Sequence, residues 1–383
     1  MKKTNWYVAA LLLLTILLIG SLAACGGGDA TTEESSESAT TEETAEGLAA
    51  DDGKVYELSL STHDPATSNK TKFHQEWADK VMEASGGRLQ ITVYAAGALA
   101  GGTAALDTLR TGACDIAWIY PAYFPGQFPK SEVLTLPFGF DTVPQATNVL
   151  WDLYESEPAL QEELSEFVPI MMHSNPSNII ATIDKYPISK MSDLKGLKFR
   201  ASAGAASDLL LAWGATPMQM APGDIFQAVE KGTVEGYVFD LSGIISFSLQ
   251  EVTANYTDMP VYLGPYYLLM NRSSFEALPE DLQQIISDHS DRDTSLEMAY
   301  VYEGDERRGR DVILEAGGNF VEVSDADEAE FREAGQTLLT NWIETNTADG
   351  FDAQAFADKA RELAEKYHID RDALNAELDE MGL

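Results

Sequence analysis

The stretch Ser192–Ser246 decides the fold. It opens S-D-L-K-G-L-K-F-R over 192–200, passes through a helical segment into G-A-T-P-M-Q-M over 214–220, and after a second helical segment closes on K-G-T-V-E-G-Y-V-F-D over 231–240. Leu197 to Arg200 reads as a short apolar strand. Leu209, Leu210 and Trp213 have the spacing of one helix face, and Gly214 stands where a helix ends in the left-handed conformation. Ile225 to Lys231 repeats the scheme, with Gly232 as its stop and Gly236 to Asp240 as the next strand. Strand, helix, strand, helix, strand predicts a parallel sheet. Ligands of such sheets sit beyond the carboxyl ends of the strands, which is where Arg200 and Asp240 fall.

Outward from this stretch, the first half of the chain echoes it. L-D-T-L-R-T-G-A-C-D-I-A (106–117) parallels F-Q-A-V-E-K-G-T-V-E-G-Y (226–237): helix, glycine, acid, strand. A strand at 55–61, a helix at 68–84 with Phe73, Trp77 and Val81 on one face, alternating Leu89, Ile91 and Val93, and an apolar strand at 115–120 complete a second βαβαβ run. The expected architecture is α/β, with two similar lobes facing each other across a ligand cleft. Strands at 167–172 and 178–183 carry the chain from one lobe to the other, and 263–270 carries it back. The helical run from Pro279 to about Arg310 is long enough to brace both lobes. Ser324 is placed to cap a further helix, and two short helices divided near Asp370 finish the chain with solvated charges. The expected boundaries are 55–177 plus about 266–305 for lobe I, and 178–265 plus about 306–383 for lobe II.

D-L-K-G-L-K-F-R (193–200), G-A-T-P-M (214–218) and the helix-K-G-x-x-E-G run ending at Gly236 resemble the solute-binding proteins of TRAP (tripartite ATP-independent periplasmic) transporters, of the DctP-like kind. The resemblance extends from about Tyr56 into the C-terminal region and includes P-x-x-x-x-L-x-L-P-F at 129–138. It implies a periplasmic-binding-protein-like fold that closes by hinge motion, and a receptor that delivers its ligand to a membrane permease driven by ion gradients without an ATPase. It also implies that Arg200 holds the ligand's carboxylate. A guanidinium suits that task because its planar fork makes two parallel charge-assisted hydrogen bonds; the competing reading is a surface ion pair with one of the many acids. Where many members carry a second arginine, this chain has Ile180; where they carry asparagine, it has Asp240. Both changes remove positive potential and disfavour a dicarboxylate. The expected ligand is a small organic acid with one carboxylate, zwitterionic or hydroxylated. Asp240 either meets its cationic or hydroxyl group or pairs with Arg200 in the empty site.

Tyr120, Tyr123 and Phe124 after the first lobe's buried strand, and Phe239 before Asp240, are candidates for aromatic cleft walls, with core packing as the alternative. His63 follows the first strand and is expected as a polar contact. Asn178 and Ser202 join the candidates on position alone.

The remaining features bound the reading. At 383 residues with 45% hydrophobic content the chain can build two lobes, and a formal charge of −37 excludes a nucleic-acid binder. Lys2 and Lys3, the apolar run Val8 to Ile19 and Leu22-Ala23-Ala24-Cys25 resemble a bacterial lipoprotein signal, over 1–24, with Cys25 as the lipidated anchor of an extracytoplasmic protein. An uncleaved membrane anchor is the alternative. Residues 25–54 have the composition of a flexible acidic tether. Cys114 has no cysteine left to pair with and reads as core, and the five histidines make no metal motif. No cofactor is expected, and a monomer is. Asp288, Asp291 and Asp293 lack the glycine and glutamate of a calcium loop and read as a solvated helix face. Nucleophile elbow, phosphate loop and dinucleotide fingerprint are all missing, so no enzyme is expected. Rival readings are a receptor of an ATP-driven importer, a lipid-anchored hydrolase or lyase using the same cleft, and a sensory receptor.

Overall fold

A computed structural model describes residues 53–383 except Phe138 and Asp349. The expected lipoprotein signal, Cys25 and nearly all of the expected acidic tether lie outside the described residues. Among these residues no helix is long and apolar enough to cross a membrane.

The first lobe begins with β1 (Tyr56–Ser61), α1 (Asn69–Ala84), β2 (Leu89–Tyr94), α2 (Ala105–Arg110) and β3 (Ile116–Ile119), then α3 (Val143–Ser156), α4 (Pro158–Glu163) and β4 (Phe167–Ser174). The chain crosses to β5 (Ile179–Thr182), β6 (Lys198–Ala201), α5 (Ala205–Ala212), β7 (Thr216–Gln219), α6 (Ile225–Glu230), β8 (Gly236–Phe239), α7 (Leu241–Ser246) and β9 (Asn255–Thr257). It returns as β10 (Pro265–Asn271), α8 (Arg272–Glu276), α9 (Glu280–Asp288) and α10 (Arg292–Glu315). β11 (Asn319–Val321), α11 (Asp325–Asn346), α12 (Ala353–Lys366) and α13 (Arg371–Met381) follow.

One sheet has the order β2-β1-β3-β10-β4 and the other β11-β9-β5-β8-β6-β7. In each, three parallel strands from one βαβαβ unit (β2-β1-β3 and β7-β6-β8) receive an antiparallel neighbour, β10 beside β3 and β5 beside β8. The sequence echo has a physical basis. Asp115, just before β3, accepts from the Ser59 backbone N–H of β1 at 2.8 Å, and Glu235, just before β8, accepts from the Lys198 N–H of β6 at 2.7 Å. An acid at that position ties a parallel strand to its neighbour in both lobes. Cys114 is buried in the first-lobe core, where burial pushes its thiol up to about 11.

The two crossing segments run side by side. Asn178 N–H donates to Tyr262 O at 2.6 Å, Val261 N–H to Asn178 O at 3.0 Å, and Asn175 N–H to Gly264 O at 3.0 Å. A paired two-strand link of this kind bends without parting, as a hinge between lobes needs.

The long helical run differs from expectation. It breaks after Asp288, and Asp291 caps a new helix by accepting from Thr294 N–H at 2.8 Å. The reason is local: a carboxylate at an N-cap satisfies a free amide of the next helix, which favours a fresh start over continuation. α10 alone, 24 residues and about 36 Å long, bridges the lobes. It buries Met298, Ala299 and Tyr302 in one core and Ile313 in the other. Gly309 makes this possible, since a Cβ there would sit 2.9 Å from Leu241 Cβ of α7. The C-terminal boundary also needs correction. α11 buries Phe331 and Leu338 in the second lobe, but Trp342 and, on α12, Phe356, Ala357 and Ala360 join the first-lobe core. The apolar stripe of α12 matches the face of α3, so the chain's end returns to lobe I.

Candidate functional site

The carboxyl end of β6 faces that of β3 across the lobes, and between them lies Arg200, 2% exposed. Its Nε donates to Met220 O at 3.1 Å, one Nη to Val238 O at 3.5 Å, and the other to the Tyr123 hydroxyl of the first lobe at 3.3 Å. Its guanidinium carbon lies 5.2 Å from the centroid of the Phe239 ring. Among the described residues no carboxylate comes within 4 Å of it. A buried guanidinium held only by neutral oxygens has no directly paired counter-charge, an arrangement that favours an incoming anion.

The walls are aromatic. Tyr120 and Tyr123 come from the turn after β3, Tyr266 from β10, Tyr262 from the return crossing and Phe239 from the end of β8. Tyr120 stacks on Tyr266 at 4.5 Å and meets Tyr123 edge-on at 5.0 Å. Burial raises the phenols of all four tyrosines above their ordinary range, so each hydroxyl is a neutral donor and acceptor. Asn175, Asn178, Ser202 and Val238 complete the lining. These groups enclose a cavity of only about 10 Å³, about what one water needs, so an organic ligand can enter only when the lobes part. A far larger groove of about 650 Å³, between the Leu136–Asp141 segment and α11 and α12, lies away from the strand ends and from Arg200. The chemistry, not the volume, marks the site.

Of the expected site residues, Arg200, Tyr120, Tyr123, Asn178, Ser202 and Phe239 come together around this cavity. His63 stands behind them, stacked on Trp118 at 4.7 Å and edge-on to Tyr123 at 6.0 Å. Burial is the main cause that lowers its pKa, opposed by Asp64 and assisted by Arg200 and Lys70.

Three expectations fail. Phe124 packs against the first-lobe core instead of the cavity. Ile180 is fully buried among Ile188, Leu194 and Phe199, on the core side of an internal strand. Asp240 neither pairs with Arg200 nor lines the cavity. It is the N-cap of α7, where Oδ1 accepts from Gly243 N–H at 2.7 Å and from the Ser242 hydroxyl at 2.6 Å, and Oδ2 accepts from Asn175 Nδ2 at 3.0 Å. Its short side chain serves the backbone that follows it, and only its charge is felt at the site. Sequence reasoning missed Tyr262, Tyr266, Asn175 and Val238. The tyrosine-rich Y-L-G-P-Y-Y of the return crossing was the available signal for two of them.

The sequence matches bacterial extracellular solute-binding protein family 7 (DctP) over residues 60–346, three quarters of the chain. The chain belongs to this family. A solute-binding protein of Verminephrobacter eiseniae is 26% identical over 67% of this chain and 75% of its own length. Among solved structures, a TRAP solute-binding protein from an unidentified marine microbe, described as specific for aromatic acids and seen with metahydroxyphenylacetate, matches with TM-score 0.77 and 27% identity. That match covers 82% of this chain and 100% of the other. A TRAP solute-binding protein of Rhodoferax ferrireducens, with copurified benzoate, matches with TM-score 0.77 and 28% identity over 82% and 98%. The family and these neighbours are receptors, not enzymes, so the hydrolase and ATP-driven readings fall away. As a TRAP solute-binding protein the chain is an extracytoplasmic receptor for a small organic acid that works with a TRAP membrane permease.

Proposed function

We propose that the ligand is an aromatic monocarboxylate of benzoate size, its carboxylate on Arg200 and its ring between the tyrosines and Phe239. The observation that carries this reading is one buried, acid-free arginine in a cavity lined by five aromatic rings. A second carboxylate finds no second cation, because Arg200 is the sole cation of the lining. A zwitterion's ammonium finds no acid in the lining, because Asp240 is turned to α7 and Asn175 and does not line the cavity. Ser202, Asn178 and the Tyr262 hydroxyl suit a ring hydroxyl. The marine and Rhodoferax proteins, which bind aromatic acids, support the same class. The proposal extends to a monomeric receptor, tethered outside the cytoplasm by lipid on Cys25.

A thermal-shift screen of the full chain tests this, with benzoate, 3-hydroxybenzoate, mandelate, succinate, ectoine and galactose. A ligand at 100 times its Kd stabilises the fold by about 2.7 kcal/mol. Shifts confined to the aromatic acids are expected. Shifts from succinate or ectoine with none from benzoate overturn the reading. Membrane fractionation of Cys25→Ser separately tests the anchor, which fails if the variant fractionates as the wild type does.

A further inference from the structure

Lys70 stands in the first turn of α1, a helix end whose own dipole is positive and whose first turn holds no acid. It is nevertheless 1% exposed. Two neighbouring carboxylates account for part of its placement: Asp64 Oδ2 at 3.7 Å, from the loop after β1, and Asp305 Oδ2 at 3.5 Å, from α10. Asp305 is itself held by Asn69 Nδ2 at 2.8 Å, so this cluster is built without the second lobe's sheet.

The remaining donors of Lys70 leave the first lobe. Nζ donates to the Ser246 hydroxyl at 2.7 Å and to Ser242 O at 3.3 Å, both on α7. Ser246 in turn donates to Ser242 O at 2.7 Å, so ammonium, hydroxyl and carbonyl form one closed set. α7 belongs to the second lobe, where Leu241 and Ile244 enter its core. It starts from Asp240, directly after the Phe239 that lies under Arg200. Lys70 thus grips, from the opposite lobe, the element immediately behind the site's second-lobe wall.

We propose that Lys70 is a latch that holds the lobes shut over the ligand: a positioning residue that touches no ligand and sets how long any ligand stays. It rests on the reading that the lobes close around the ligand, and is indifferent to which acid that is. Separation of the lobes leaves Lys70 its two carboxylates and takes away the α7 hydroxyl and carbonyl. The latch therefore adds to closure without making the open protein unstable.

The test uses the full chain and two variants. Ser246→Ala removes one acceptor on α7 and leaves the Lys70–Asp64–Asp305 cluster whole. Lys70→Met removes the latch but leaves two buried acids, so it is read beside the milder change. Hydrogen exchange without ligand is expected to speed the α7 amides by about threefold in Ser246→Ala and about tenfold in Lys70→Met, with the β1–β3 amides unchanged. Stopped-flow displacement of benzoate is expected to show dissociation faster by similar factors, with association within about twofold. Unchanged α7 exchange in both variants overturns the latch, as does acceleration spread evenly over both lobes. Failure of benzoate to bind refutes the aromatic-acid reading alone, and the exchange arm still decides the latch.

Discussion

Replacing Arg200 by Met is the sharpest test of the site. The change keeps an unbranched chain beside Phe239 and removes a charge that no acid within 4 Å neutralises. On the proposed reading, the ligand's carboxylate is the arginine's direct ionic partner in the wild type. In the variant that carboxylate is buried, unpaired and exposed to the field of Asp240, whose charge reaches the tyrosines lining the site. Truncating one member of a buried hydrogen-bonded charge pair costs about 2–5 kcal/mol, mostly the penalty on the partner left behind. Benzoate affinity should fall roughly thirtyfold to a few thousandfold. Titration calorimetry with benzoate and with neutral benzamide separates charge from shape, because benzamide forfeits a hydrogen bond from the guanidinium, about 1.5–3 kcal/mol, but leaves no carboxylate buried without its counter-charge. Circular dichroism verifies that the variant is folded, since Met220 O and Val238 O each lose a donor. A benzoate loss below about threefold, or equal losses for benzoate and benzamide, refutes the carboxylate clamp.

Acid stability offers a second test. His74 is fully buried with neither ring nitrogen hydrogen-bonded, and burial, helped by His173 and His63, lowers its pKa to about 3. Between pH 6.5 and 3 the unfolded chain therefore takes up a proton that the folded chain refuses, so this stability is present above 6.5 and lost as pH falls. The loss from this group by pH 4.5 is about 2–3 kcal/mol, and His74→Phe should flatten urea-derived stability against pH by that amount; superimposable curves for variant and wild type would falsify it. Asp240→Asn keeps the acceptor for Gly243 N–H and removes the charge, so benzoate should bind as well as before or more tightly. Asp240→Ala should destabilise the fold by about 0.5–2 kcal/mol through the lost cap. A benzoate Kd weakened more than threefold in Asp240→Asn would mean that its carboxylate does meet the ligand.

Much of the fold is legible because its punctuation is local. Gly214 and Gly232 end helices at positive φ, of 85° and 68°, and an acid before each third parallel strand ties it to its neighbour. Arg200 is legible too: a cation closing an apolar strand must end somewhere polar, and a parallel sheet says where. Asp240 shows the limit. A strand-end acid that opens a helix has two uses, and the short α7 claimed it before the site could. Ile180 shows another, since a strand buried on both faces gives no alternation to say which side faces a cavity. The stripe on α12 predicts burial without naming its partner, and the break at His289 carries neither proline nor glycine to announce it. Tyr262 and Tyr266 enter the site through the hinge, a contact about 60 residues from Arg200 that spacing along the chain cannot specify.

The sheet order has a consequence for the order of synthesis. β10 lies between β3 and β4, so the first lobe's sheet cannot be completed until residue 271 has been made, although its other strands end at Ser174. The second sheet has five of its six strands in one continuous run from Ile179 to Thr257 and lacks only the edge strand β11. A growing chain can therefore pair most of the second lobe's sheet while β3 and β4 still wait as open edges, the kind that pair with the wrong chain. Release of a chain stopped short of β10 leaves those edges bare, and the N-terminal half becomes the part of this receptor that most needs protection on its way out of the cell.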